Sequence, residues 1–170
     1  MDPVSDFASD RRMLLGAGAL AATLASSAAM AATVADPALE AAFRAAFAAP
    51  ADAPARLFDA RLAFLADTGL CIDQDVPFLI DRAAAADHLG FQARSWERLE
   101  VVLTGVKTLV QGGTGIASAY FSLRGKPRDS GFWLRPGFVK AVCLRSQAGW
   151  RALSLQLAPL SAQILDASPA

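Results

Sequence analysis

Histidine and tyrosine are nearly missing from this chain of 170 residues, which has one of each, His88 and Tyr120. Cysteine is scarce too, with only Cys71 and Cys143 and no Cys-x-x-Cys. So few soft donors cannot assemble the four-ligand set of a zinc site, and no metal is expected. An excess of charge of one sign is also lacking, because 16 Lys+Arg face 16 Asp+Glu. A balanced surface excludes nucleic acid as a partner, since phosphate binding needs a basic face. No nucleophile-elbow sequence is present. The run Gly112-Gly113-Thr114-Gly115 is followed by no Gly-Lys-Ser/Thr and reads as a hairpin turn, not a phosphate loop. No cofactor is implied.

The N-terminus reads as an address. Arg11-Arg12 precede a mildly apolar run diluted by Gly16 and Gly18, as in twin-arginine export signals, and Ala29-Met30-Ala31 supplies a small-x-small cleavage site. Arg11, Arg12, Ala29 and Ala31 are therefore the signal residues of a segment spanning 1–31, with cleavage expected after Ala31 and a periplasmic destination. The competing reading is a retained anchor, since about 20 apolar residues can cross a bilayer. Alanine and glycine contribute little transfer free energy, and Ser26-Ser27 interrupt the run, so contact with the membrane is expected only during export.

Residues 32–170 suit one domain with one core. Without Arg11 and Arg12 there remain 14 basic residues, and without Asp2, Asp6 and Asp10 there remain 13 acidic ones, a net charge near +1. An exported chain can form disulfides. Both cysteines lie inside apolar runs, however, and unpaired cysteine behaves as a small buried hydrophobe, so a bridge and two buried thiols both stay open.

Asp36-Pro37 opens a first helix, Asp as cap and Pro at the position with no donor to waste. Leu39, Phe43 and Phe47 then repeat every four residues as a core-seeking stripe until Pro50 and Pro54 stop it. A second helix is expected over 55–67, with Phe58, Leu62 and Leu65 inward and Gly69 closing it in the left-handed conformation. Two short strands, 70–72 and 76–80, flank the turn Asp73-Gln74-Asp75. Asp81 caps a third helix over 82–89 that ends at Gly90, which puts His88 near a C-terminus where the helix dipole favours a cation. Four extended segments follow, at 96–110, 115–123, 137–146 and 150–159, separated by Gly-containing turns.

Three helices, a short strand pair and a long antiparallel meander ending in Gly149-Trp150-Arg151-Ala152-Leu153-Ser154-Leu155-Gln156-Leu157-Ala158-Pro159-Leu160 form an order similar to the SnoaL-like and ketosteroid-isomerase-like superfamily. A second match is Asp67-Thr68-Gly69-Leu70-Cys71-Ile72-Asp73 before Ile80-Asp81-Arg82-Ala83. The resemblance spans the whole of 32–170. It implies an α+β domain in which a strongly curved antiparallel sheet packs against three helices as a cone, the nuclear-transport-factor-two-like or cystatin-like fold. An apolar pocket inside and a sheet-to-sheet homodimer are implied with it. In the family's isomerases a tyrosine on the first helix stabilises an enolate; here that helix offers Phe43 and Phe47, so the oxyanion role has no candidate at that position.

Function must come from the site, because the fold hosts many activities. The weak catalytic candidates are Asp73 and His88: the carboxylate for acid/base work, the imidazole because its pKa lies near neutrality. Asp75 pairs with Asp73 in the same turn. Trp96, Tyr120 and Gln156 are read as pocket lining, offering area and a polar handle. The leading expectation is an exported domain that binds a small apolar molecule in its cone or dimerises through its sheet. The alternative is an isomerase, cyclase or dehydratase working by acid/base chemistry on a small hydrophobic substrate. The two separate on whether two or more of Asp73, Asp75, His88, Tyr120 and Gln156 converge inside one pocket.

Overall fold

Helix α1 (Pro37–Ala45) begins as its capping sequence requires: the Asp36 carboxylate accepts from the Ala38 and Leu39 amides at 2.7 and 3.2 Å. The computed structural model describes residues 35–160, so the signal reading of Arg11, Arg12, Ala29 and Ala31 lies outside the described residues. Helix α2 (Pro54–Phe64) buries Leu57, Phe58, Arg61 and Phe64, positions three or four apart on one face. It is shorter than its periodicity suggests. Leu65 leaves the helix and opens strand β1 (Leu65–Asp73), and Gly69 lies inside that strand without a positive φ, so it caps nothing. Its value there is the missing side chain, since a Cβ would come within 2.9 Å of the Ala66 and Ala152 carbonyl oxygens.

Strand β2 (Val76–Asp81) returns antiparallel to β1, and Asp81 caps helix α3 (Arg82–Ser95) through the Ala84 amide at 2.9 Å. Helix α3 does not stop at Gly90. A glycine inside a helix costs about 1 kcal/mol relative to alanine, which burial of Ala85 and Leu89 against the core outweighs. His88 therefore lies mid-helix, and the dipole argument for its charge does not apply.

Strands β3 (Trp96–Gln111), β4 (Thr114–Pro127), β5 (Trp133–Ser146) and β6 (Gly149–Pro159) form the meander. A two-residue turn, Gly112-Gly113, joins β3 to β4, and Gly112 at φ +59° takes the left-handed conformation such tight hairpins need. The full order is β2-β1-β6-β5-β4-β3, a curved, unclosed six-stranded sheet. Only β1 and β6 run parallel; the other neighbours are antiparallel.

One face of the sheet is covered by the helices. Alternate residues Ala117, Ala119, Phe121 and Leu123 on β4, Val139, Ala141 and Cys143 on β5, and Ala152, Leu155 and Leu157 on β6 are buried with Leu39, Phe43, Leu57 and Phe64. Small residues on the sheet meet large ones on the helices. Gly137 pairs across the strands with Phe121, whose ring occupies the space a Cβ on Gly137 would take.

Cys71 and Cys143 are buried and free. They lie on β1 and β5, the two strands that flank β6. Two inter-strand steps of about 4.8 Å exceed the roughly 7 Å Cα separation a disulfide can span. The bridge is therefore excluded by topology, and desolvation pushes the Cys71 thiol up to about 11 and the Cys143 thiol up to about 12.

Candidate functional site

Three elements deliver one polar cluster into the apolar layer. Asp73 is the last residue of β1 and continues the inward alternation of Gly69 and Cys71. His88 lies on α3 three residues after buried Ala85, and Arg61 lies on α2 between Phe58 and Phe64. Asp73 and Arg61 are each only 3% exposed.

His88 Nε2 lies 2.9 Å from Asp73 Oδ2. The other oxygen, Oδ1, accepts from the Gln74 amide at 2.9 Å and faces the Arg61 guanidinium at 3.8 Å. Burial by itself drives the Asp73 carboxyl upward, but the His88 hydrogen bond, the Arg61 charge and the Gln74 amide together hold it below its ordinary 3.8. His88 moves the other way. Its hydrogen bond to Asp73 raises it above the ordinary 6.5, against the opposing influence of burial, and the Asp73 and Asp75 charges add to the rise while Arg61 opposes it.

The chemistry follows from this polarity. With Nε2 donating to an ionised Asp73, Nδ1 is the ring nitrogen left to give or take a proton, and it has no hydrogen-bond partner among the described residues. The side chain is 17% exposed, so His88 is the member of the cluster that reaches solvent. An imidazole oriented by a carboxylate, its pKa raised chiefly by that hydrogen bond, is equipped as a general acid when protonated and as a base once deprotonated.

A second circle of contacts lies one step outward, two residues beyond Asp73 and one helical turn beyond His88. Asp75 accepts from Gln92 Nε2 at 3.3 Å, and Gln92 Oε1 accepts from Trp96 Nε1 at 3.3 Å. The Trp96 ring meets Trp133 edge to face at 5.9 Å. Arg135 stacks on Trp133 at 4.3 Å and returns to Asp75 at 3.2 Å, closing the circle.

Of the residues singled out in the sequence, Asp73 and His88 are brought into direct contact, with Asp75 and Trp96 in the circle beside them. Tyr120 and Gln156 are not. Both lie on the sheet face away from the helices, where Tyr120 is 56% exposed and packs edge to face on Phe138. Their placement in an interior pocket is corrected by strand parity: Ala119, Phe121, Leu155 and Leu157 take the inward positions next to them. Three surface clefts, of about 360 to 420 Å³, are lined by described residues elsewhere in the fold, and none includes Arg61, Asp73 or His88. Arg61 was missed by sequence reasoning. The available signal was a charge at a core position of the Leu57-Phe58-Phe64 face.

No family model matches the chain, and no curated protein matches it. Solved structures do. A protein from Salmonella enterica named as a nuclear-transport-factor-two-like superfamily protein is 12% identical, with 76% of this chain and 94% of that chain covered at a TM-score of 0.62. The chain has the nuclear-transport-factor-two-like fold. A candidate dehydratase of the same fold family from Streptomyces avermitilis is 17% identical, covering 73% of this chain and 95% of that one, with a TM-score of 0.61. A ketosteroid isomerase-like protein from Erwinia carotovora atroseptica is 12% identical over 73% and 95%, with a TM-score of 0.58. At such identities the likeness establishes this α+β fold, with three helices on a curved, unclosed sheet, and leaves activity to the site.

Proposed function

We propose that this nuclear-transport-factor-two-like domain moves a proton on a small, largely apolar substrate, as in isomerisation, cyclisation or dehydration. The observation that carries this reading is the 2.9 Å contact between His88 Nε2 and the buried Asp73 carboxylate. His88 is the proton-transferring group through Nδ1, and Asp73 fixes its tautomer and stabilises the imidazolium. Arg61 is a positioning residue for Asp73 because its charge keeps that carboxyl ionised. The neighbours named for dehydratase and isomerase-like proteins agree with proton chemistry. We place this activity in the periplasm after removal of 1–31, on the strength of Arg11-Arg12 and Ala29-Met30-Ala31.

The test is proton exchange in deuterated water with a panel of small ketones and β-hydroxy ketones. Wild-type protein is expected to wash deuterium into the carbon next to the carbonyl, and His88→Gln to abolish it. Exchange that survives His88→Gln contradicts the reading.

A second reading concerns the outer face of the sheet. Leu109, Tyr120 and Leu144 are exposed there beside Ile116, Phe138 and Val142, which supports a homodimer formed sheet to sheet. Sedimentation velocity tests it: Tyr120→Lys should convert dimer to monomer, and a wild-type monomer at all concentrations would exclude it.

A further inference from the structure

Two arginines reach the C-terminal end of α2 from other elements. Arg82, the first residue of α3, donates through Nη1 to the Leu62 carbonyl at 2.6 Å and to the Leu65 carbonyl, and Arg151 on β6 donates through Nη1 to the Ala63 carbonyl. The last carbonyls of a helix have no partner within it, so arginine suits them as a cap. Capping uses one nitrogen of each guanidinium. Nη2 of both side chains, and Nε of Arg151, have no acceptor among the described residues, and Nε of Arg82 faces only the Asp67 carboxylate at 3.6 Å. The anchoring carbonyls of Leu62 and Ala63 are consecutive, which brings both guanidiniums to one end of the helix.

Both arginines line one surface cleft of about 420 Å³, which opens near the start of β1, the far end of that strand from Asp73. The cleft has room and is open to solvent. Leu144 and Leu153 line it as well, and Thr68 and Ser146 add hydroxyls. Leu144 is 41% exposed, so part of this apolar lining is in contact with water. Arginine stays protonated throughout the pH range of a folded protein. The cleft therefore holds two fixed positive charges against one carboxylate, that of Asp67, whose side chain is fully exposed. The excess is one positive charge, whatever the protonation state of His88.

We infer that this cleft is a binding site for a small amphipathic carboxylate, with its head group on the remaining guanidinium nitrogens of Arg82 and Arg151 and its alkyl part against Leu144 and Leu153. One negative charge matches the one excess positive charge, and a planar guanidinium presents its N–H groups in the geometry a carboxylate accepts. The α2 carbonyls fix both arginine side chains before a ligand arrives, so little of the usual side-chain ordering cost falls on binding. The site shares no residue with the His88 cluster and does not rest on the proton-transfer reading.

The experiment is a calorimetric titration of the full chain with sodium octanoate, below its micelle concentration and at constant ionic strength. Saturable binding of octanoate is expected. Hexanoate should bind about tenfold more weakly, because two methylene groups of burial are lost, and octylammonium, with the opposite charge, should not bind. Arg151→Gln should weaken octanoate binding about tenfold, the loss of one charge-assisted hydrogen bond. Thr68→Glu puts a second carboxylate in the cleft without touching the carbonyls that anchor the arginines, and it should abolish binding, whereas Thr68→Gln should bind as wild type does. That pair decides the matter if Arg151→Gln fails to fold. His88→Gln should bind octanoate undiminished although its proton exchange is lost, so this site and the acid/base role fail separately. A wild type without saturable binding, octylammonium bound as well as octanoate, binding that survives Thr68→Glu, or binding lost in His88→Gln overturns the inference.

Discussion

His88 Nε2 sits 2.9 Å from Asp73 Oδ2, across the gap between the middle of α3 and the end of β1. That contact ties the acid of a two-strand hairpin to the helix that follows it, and both partners titrate away from their ordinary values because of it.

Stability should therefore peak between the two ordinary pKa values. Asp73 is lowered in the folded state, so its contribution is complete above 3.8 and is lost as pH falls through its folded pKa. His88 is raised, so its contribution is complete below 6.5 and is lost as pH rises through its folded pKa. The urea midpoint is expected to be highest between 3.8 and 6.5 and to decline on both sides. In His88→Gln the alkaline decline should flatten. A wild-type midpoint that climbs steadily above pH 6.5 would contradict this.

Removing the shared carboxylate should be far more damaging than removing an exposed one. Asp73→Ala leaves Arg61 buried without its counter-charge, a change expected to cost about 3–5 kcal/mol. Glu97→Ala breaks a half-exposed pair with Lys126 and should cost at most about 1 kcal/mol. Urea unfolding of the two variants side by side gives the comparison, and equal losses would show that the cluster is not the buried pair described.

The fit of Gly137 against the Phe121 ring predicts overpacking. Gly137→Ala should destabilise by about 1–3 kcal/mol. Adding Phe121→Leu should recover part of that loss. A double mutant whose loss equals the sum of the two singles would show that the positions do not share the space.

How much of this was written in the sequence differs from element to element. The caps at Asp36 and Asp81 and the Gly112-Gly113 turn follow from local chemistry and lie where that chemistry puts them, whereas the link after β4 is shorter than the strand bounds 115–123 and 137–146 imply, because β4 runs to Pro127 and β5 begins at Trp133. The end of α2 and the passage of α3 through Gly90 do not, because burial of Phe64 and Leu89 in a distant sheet decides them. The site is legible in the same uneven way. Asp73 and His88 were candidates by residue type, but their pairing spans 15 residues and depends on how α3 folds back over β1. Tyr120 and Gln156 show the limit of strand reading: the alternation gives two faces without saying which one the helices cover. Arg61 was passed over, although its spacing from Phe58 and Phe64 puts it on the helix face that tertiary packing buries.

The two thiols should be inert until the fold opens. With Cys71 near 11 and Cys143 near 12, almost no thiolate exists at pH 8, and both side chains are buried. A disulfide-exchange reagent should label neither cysteine in native protein and both in denaturant. A single labelled thiol, or none in denaturant without reductant, would contradict two free cysteines.

The proton-transfer account rests on the contact between His88 and Asp73, and the sole histidine makes its effect on the imidazole directly measurable. Titration of the His88 ring by NMR in wild type and in Asp73→Asn is expected to give a pKa above 6.5 that drops when the carboxylate is neutralised. A wild-type value at or below 6.5, or one that Asp73→Asn leaves unmoved, would contradict the pairing and the acid/base role built on it.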